Sequence, residues 1–160
     1  MRAPAARRAA SHAPGCRHEP FAMRGNASVS KTKLLALVKA LDWRAIDAAL
    51  TQQPELLAYR GKRGENYLHV CCAVDISKER PRARADIKSA DVLIDAGLDI
   101  NGEAFREGEW KSTPLWYAIA RGKNLALAKH LLARGATPEY CLWAAAYNDE
   151  VETRLGHGPS

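Results

Sequence analysis

Cys71 and Cys72 stand side by side, two residues after His69. A thiol beside an imidazole is the smallest apparatus of nucleophilic catalysis, so a thiol enzyme centred on Cys71 or Cys72 is one reading. That chemistry needs an exposed thiolate in electropositive surroundings and a third group that orients the base. The pair instead falls in an apolar run, residues 67–74, and free cysteine is among the most buried residue types. Core packing is the favoured reading. His12, Cys16 and His18 form a His-x3-Cys-x-His cluster without a fourth ligand or an ordered frame, and His130 has no His, Cys, Asp or Glu at ligand spacing. Lys62-Arg63-Gly64 reads as a turn, and there is no phosphate loop, nucleophile elbow or H-E-x-x-H. No catalytic residue, metal or cofactor is expected.

Charge offers a second chemistry, nucleic-acid binding. The chain carries 24 basic and 18 acidic residues. Residues 1–33 hold seven of the basic side chains and one of the acidic ones, and the remaining 17 of each cancel. The excess therefore sits on an amino-terminal tail. A second basic cluster, Lys78, Arg80, Arg82, Arg84 and Lys88 against Glu79 and Asp86, falls in residues 76–88. Tail and cluster together could hold phosphates. The alternative, a solvated loop insertion, is favoured, and nucleic acid is a disfavoured partner.

The elements that would position these groups are helical. Residues 1–32 read as a disordered basic extension, rich in Ala, Arg, Pro and Gly with no hydrophobic period. Met23 is an alternative start. Residues 33–155 are periodic, and residues 156–160 are a flexible tail. Leu34, Leu35, Leu37, Val38 and Leu41 predict one helix face, and Trp43, Ile46, Ala49 and Leu50 a second. Gln53-Pro54 ends that helix. A third helix is predicted from Tyr67, a fourth over residues 89–96 closed by Gly97, and an extended piece over 98–101. Residues 113–136 form a complete helix–turn–helix unit. Its first helix opens at Thr113-Pro114-Leu115 and ends at Gly122. Its second presents Leu125, Ala128, Leu131 and Leu132 as one stripe and ends at Gly135. A last helix is predicted over 139–147, then a stub over 149–155. No apolar run reaches the ~18 residues of a membrane span. The four cysteines, Cys16, Cys71, Cys72 and Cys141, lack a C-x-x-C pair, which favours a reducing, cytoplasmic setting.

The unit at 113–136 resembles an ankyrin repeat. It has the Thr-Pro-Leu opening, with Trp116 in place of the usual histidine. The segment from Gly64 is similar, with Leu68 and His69 in register, Asn66-Tyr67 in place of Thr-Pro, Cys71-Cys72 in place of paired alanines, and Ala96-Gly97-Leu98-Asp99-Ile100-Asn101 as its end. Leu35, Leu68, Leu115 and Leu142 open successive first helices at spacings of 33, 47 and 27 residues, against a family period of 33. The second spacing implies an insertion, mostly at residues 76–87. The third implies a contraction at Ala136-Thr137-Pro138. The first unit resembles an amino-terminal cap, and the fourth keeps Leu142-Trp143-Ala144-Ala145-Ala146. The resemblance covers roughly residues 33–155 and is most specific in the third unit.

The resemblance implies an all-α ankyrin-repeat solenoid of helix–turn–helix units joined by short hairpin loops, used as a non-catalytic scaffold for another protein. His69 would hydrogen-bond the adjoining loop. Trp116 and Trp143 would pack between units. The partner would lie on the concave face: Lys62, Arg63 and Glu65 before the second unit, Glu109, Trp110 and Ser112 before the third, and Arg121, Tyr147 and Asn148 at the ends of first helices. Trp110 is either an exposed binding anchor or folded back on its hairpin. The unfinished fourth unit would leave apolar surface near Leu131, Ala144 and Leu155, so self-association is a further expectation.

Overall fold

The computed structural model describes residues 28–77, 81–107, 110–139, 141–142 and 144–146. The His12, Cys16, His18 cluster, the basic extension up to residue 27, Lys78, Arg80, Trp143, the stub over 149–155 and the tail over 156–160 lie outside them.

The described residues are mostly helical. The order is α1 (Lys31–Lys39), α2 (Trp43–Gln52), a 3-10 turn (Pro54–Ala58), α3 (Tyr67–Cys72), a second 3-10 turn (Arg82–Arg84), α4 (Ala85–Asp95), β1 (Arg106–Glu107), β2 (Trp110–Lys111), α5 (Pro114–Ala120) and α6 (Leu125–Ala133). Residues 141, 142 and 144–146 are helical as well. The strands pair antiparallel, Arg106 with Lys111 and Glu107 with Trp110.

Short polar side chains start most of the helices. Ser30, Asp42, Asn66, Thr113 and Asn124 each accept a backbone N–H from the first turn of the helix that follows. A cap of this kind stabilises by about 0.5–2 kcal/mol. Asn66 thus supplies what Thr113 supplies at the equivalent place in α5. Two further ends match each other. Gly97 and Gly135 adopt φ of 109° and 100°, and the next residues donate back five positions, Leu98 to Leu93 O and Ala136 to Leu131 O. This is the left-handed cap that glycine accepts without steric cost.

The helices lie in two rows. α1 packs on α3, and α3 on α5; behind them α2 packs on α4, and α4 on α6. Within each pair the front helix meets the back one: α1 with α2, α3 with α4, α5 with α6. One core runs between the rows, through Leu34 and Val38, Ile46 and Leu50, Leu68, Cys71 and Cys72, Leu93, Leu115 and Ala118, and Leu127 and Leu131. Gly122 marks the closest approach of the front row. A Cβ there would stand 2.3 Å from the Cys72 carbonyl oxygen and 3.2 Å from that of Val74.

Polar side chains tie the back row together. Asn124 Nδ2 donates to Asp86 Oδ2 at 2.7 Å, and both residues are buried. His130 Nε2 lies 2.7 Å from Asp91 Oδ1, and Arg134 bridges Asp91 and Asp95 at 2.9 and 2.7 Å.

Four expectations are revised. Residues 29–32, expected in the disordered extension, are ordered: Val29 donates to Gln53 Oε1 and Ser30 caps α1. The fourth helix starts at Ala85 rather than Ser89, so Ile87 belongs to the core instead of the insertion. Residues 98–101 form a turn, closed by Gly102 N–H to Asp99 O and by Asn101 N–H to Asp99 Oδ1. In α6 the buried stripe is Leu127, Ala128 and Leu131, while Leu125 and Leu132 are exposed. The Asn124 cap binds the Leu127 N–H, and its bond to Asp86 ties this end of α6 to α4.

Candidate protein-binding groove

A groove of about 600 Å³ opens on the front row. Four segments build it. α1 contributes Leu35 and Lys39, one helical turn apart and beside the buried Leu34 and Val38. The turn between Tyr59 and Glu65 forms one wall. Val70 and Val74, on and just after α3, form the floor with Tyr117 of α5.

The turn is held in one conformation. Gly61 N–H donates to Glu65 O at 2.7 Å, and Gly64 N–H to Gly61 O at 3.1 Å. Glu65 Oε2 accepts the Arg63 N–H at 3.0 Å. Gly64 has φ of 83°, and a Cβ on it would come within 2.8 Å of Ala104 O, so the turn lies against the segment before β1. Across that contact the Arg63 guanidinium rests over the Phe105 ring at 5.6 Å. Such a cation–π contact fixes the side chain without cancelling its charge.

The floor is anchored by aromatic packing. Tyr59 stacks on buried Tyr67 at 4.7 Å. Burial, with Tyr59 adding, pushes the Tyr67 phenol up to about 12. The Tyr117 ring makes T-shaped contacts with His69 at 5.3 Å and Trp116 at 5.2 Å. Burial raises the Tyr117 pKa, and nearby Glu65 raises it further.

His69 joins the groove to the loop behind it. Nε2 lies 2.9 Å from the Gly102 carbonyl, which can only accept, so the ring proton is assigned to Nε2. Nδ1 accepts the Asn66 N–H at 3.2 Å and also stands 2.7 Å from Asn66 Oδ1. Burial lowers the His69 pKa and favours this neutral form. Cys71 and Cys72 lie behind the floor, fully enclosed. Burial pushes the Cys71 thiol up to about 12 and the Cys72 thiol well above its ordinary value. Neither has the lowered pKa of an activated nucleophile. The described cysteines, Cys71, Cys72 and Cys141, are free, and no group of His, Cys, Asp or Glu among the described residues has the arrangement of a metal site.

The residues expected on a binding face divide as follows. Lys62, Arg63 and Glu65 meet in the groove. Arg121 is exposed just beyond α5 and does not line it. Ser112 is only 1% exposed and serves the strand pair: its hydroxyl accepts from Phe105 N–H at 2.7 Å and donates to Phe105 O at 3.0 Å. Burial and this pairing take Ser112 off the accessible face. Trp110 opens β2, with its side chain outside the described set. Glu109, Tyr147 and Asn148 also lie outside the described residues.

The floor escaped sequence reasoning. Its signal is faint but present: Leu35, Val70 and Tyr117 are apolar residues one step off the core stripe of their helices. On a helix buried along one stripe alone, such positions are ordinarily polar. No described helix is long and apolar enough to cross a membrane. No family model matches the sequence, and no curated protein matches it with significant similarity.

Proposed function

We propose that this chain is a short ankyrin-type array that holds a protein partner on the row formed by α1, α3 and α5, without catalysis, in the cytoplasm. The observation that carries the reading is the groove. It has an apolar floor, a charged rim and a lining drawn from α1, α3, α5 and the turn before α3. Rigid display of such a surface is how stacked helical pairs recognise proteins.

Several local features support the repeat reading. Asn66 and Thr113 cap α3 and α5 in the same way, and Gly97 and Gly135 end α4 and α6 in the same way. Asn101, after the first of these ends, reaches the second: its Oδ1 accepts the Thr137 N–H at 2.8 Å, and its Nδ2 donates to Gly135 O at 3.3 Å. His69 bonds the loop at Gly102 as the ankyrin resemblance implies. The irregular spacing is accommodated at the 3-10 turn before α4, where Arg84 takes the cap position with no side-chain cap.

The test is affinity capture with the full chain and two variants. Val74→Glu with Arg63→Ala alters the groove; Leu125→Ser alters an exposed back-row site. The groove variant is expected to lose a wild-type partner by at least about tenfold, with the control unchanged. Equal retention by the groove variant, with an unchanged melting curve, would refute the choice of face. The non-catalytic part has its own check. Iodoacetamide is expected to leave Cys71 and Cys72 unmodified until the chain unfolds; rapid labelling of Cys71 or Cys72 in the native protein, located by peptide mass mapping, would revive the thiol-enzyme reading.

A further inference from the structure

We infer that the groove takes an acidic, extended segment of a partner protein, with one bulky aliphatic side chain on the floor and carboxylates on Lys39, Lys62 and Arg63. This deepens the binding-face reading above and rests on it.

The rim carries three cations and one carboxylate. The carboxylate, Glu65, is already turned inward to accept the Arg63 N–H. Lys39 and Lys62 are exposed and form no ion pair among the described residues. Arg63 is positioned over Phe105 and keeps its charge. The rim therefore presents an excess of positive charge around an apolar floor, although the acidic and basic side chains of residues 34–160 balance. Charge complementarity of this kind sets the sign of the partner and speeds encounter.

The floor selects among polyanions. Leu35, Val70 and Val74 offer aliphatic surface. Of the two tyrosines in the groove, Tyr59 is stacked on Tyr67 and Tyr117 makes T-shaped contacts with His69 and Trp116. Single-stranded nucleic acid binds through free aromatic faces on which bases stack. An aliphatic floor suits a peptide side chain, and a volume of about 600 Å³ accommodates one with its neighbouring backbone. The chain's own amino-terminal segment is excluded on charge, since its residues are basic like the rim.

The experiment is fluorescence anisotropy on the full chain with labelled probes. Three are synthetic peptides of about ten residues: Asp/Glu around a central leucine, the same with serine for leucine, and the same with lysine for every acid. The fourth is a single-stranded oligodeoxynucleotide. The acidic leucine peptide is expected to bind best and to weaken with salt. The Lys39→Glu, Lys62→Glu variant is expected to weaken it at least about tenfold, and Arg44→Glu on the back row to leave it unchanged. Both lysines are exposed, and a melting curve confirms that the variant folds. Equal binding of the lysine peptide, tighter binding of the oligonucleotide, or no binding of the acidic peptide would each overturn the inference. If a captured partner still depends on Val74 and Arg63 while the acidic peptide fails, the acidic assignment falls and the binding face stands.

Discussion

His69 shows how a residue with catalytic potential is committed to structure. Its two ring nitrogens are engaged by Gly102 O and by Asn66, and its ring packs T-shaped with Tyr117. Burial places its folded-state pKa below 6.5. Acidification therefore favours the unfolded chain, whose histidine protonates at about 6.5. The contribution is fully present above about pH 6.5 and is lost as pH falls through that value towards the lowered folded one. His69→Gln removes the titration while keeping a donor for Gly102. Thermal melts between about pH 7.5 and 5 are expected to show a flatter stability profile for the variant. Identical pH dependence in the two proteins would contradict the assignment. The sequence made His69 legible because its spacing from Leu68 matched a known pattern. It could not show that Asn66, three residues earlier, completes a reciprocal cap with it.

At the scale of elements, helices were legible wherever an apolar period met a cap. α5 runs between Thr113 and Gly122 as the residues imply, and α2 buries Ile46, Ala49 and Leu50, whereas α1 buries Leu34 and Val38 and leaves Leu35 and Leu37 half-buried. The failures have local causes. α4 was placed four residues late because Asp86 looked like part of a charged loop. Its carboxylate is instead buried against Asn124, a contact 38 residues away in sequence. The stripe of α6 differs because four leucines leave the phase ambiguous, and the Asn124 contact with Asp86 of α4 has no trace in the local pattern. Gly122 was expected only as a helix stop, yet its place is set by a neighbour. A methyl group there would meet the Cys72 carbonyl oxygen at 2.3 Å, and backbone cannot move aside as a side chain can. Gly122→Ala is expected to cost about 1–3 kcal/mol through forced separation of α3 and α5, read from urea denaturation. A loss near zero would mean that the two helices do not approach as described.

At the scale of the molecule, two rows of helices share one core and leave two kinds of apolar surface. One is the groove on the front row. The other lies towards the carboxyl end, where Leu125 is 65% and Leu142 is 82% exposed. It is not where the unfinished fourth unit was expected to open, since Leu131 and Ala144 are buried. The first was half legible. Lys62, Arg63 and Glu65 could be placed on a turn from their glycines, but the floor needs residues from α1, α3 and α5 at once. No local pattern brings Leu35, Val70 and Tyr117 together; only stacking of the helices does. The central claim, that this row is the binding face, is tested most directly by site-specific photocrosslinking of the full chain. A benzophenone side chain replaces Val74 in one protein and Leu125 in another, and each is irradiated in the presence of the captured partner. The groove reading predicts a crosslink from position 74 and none from position 125. A crosslink from 125 alone would place the partner on the back row and contradict it.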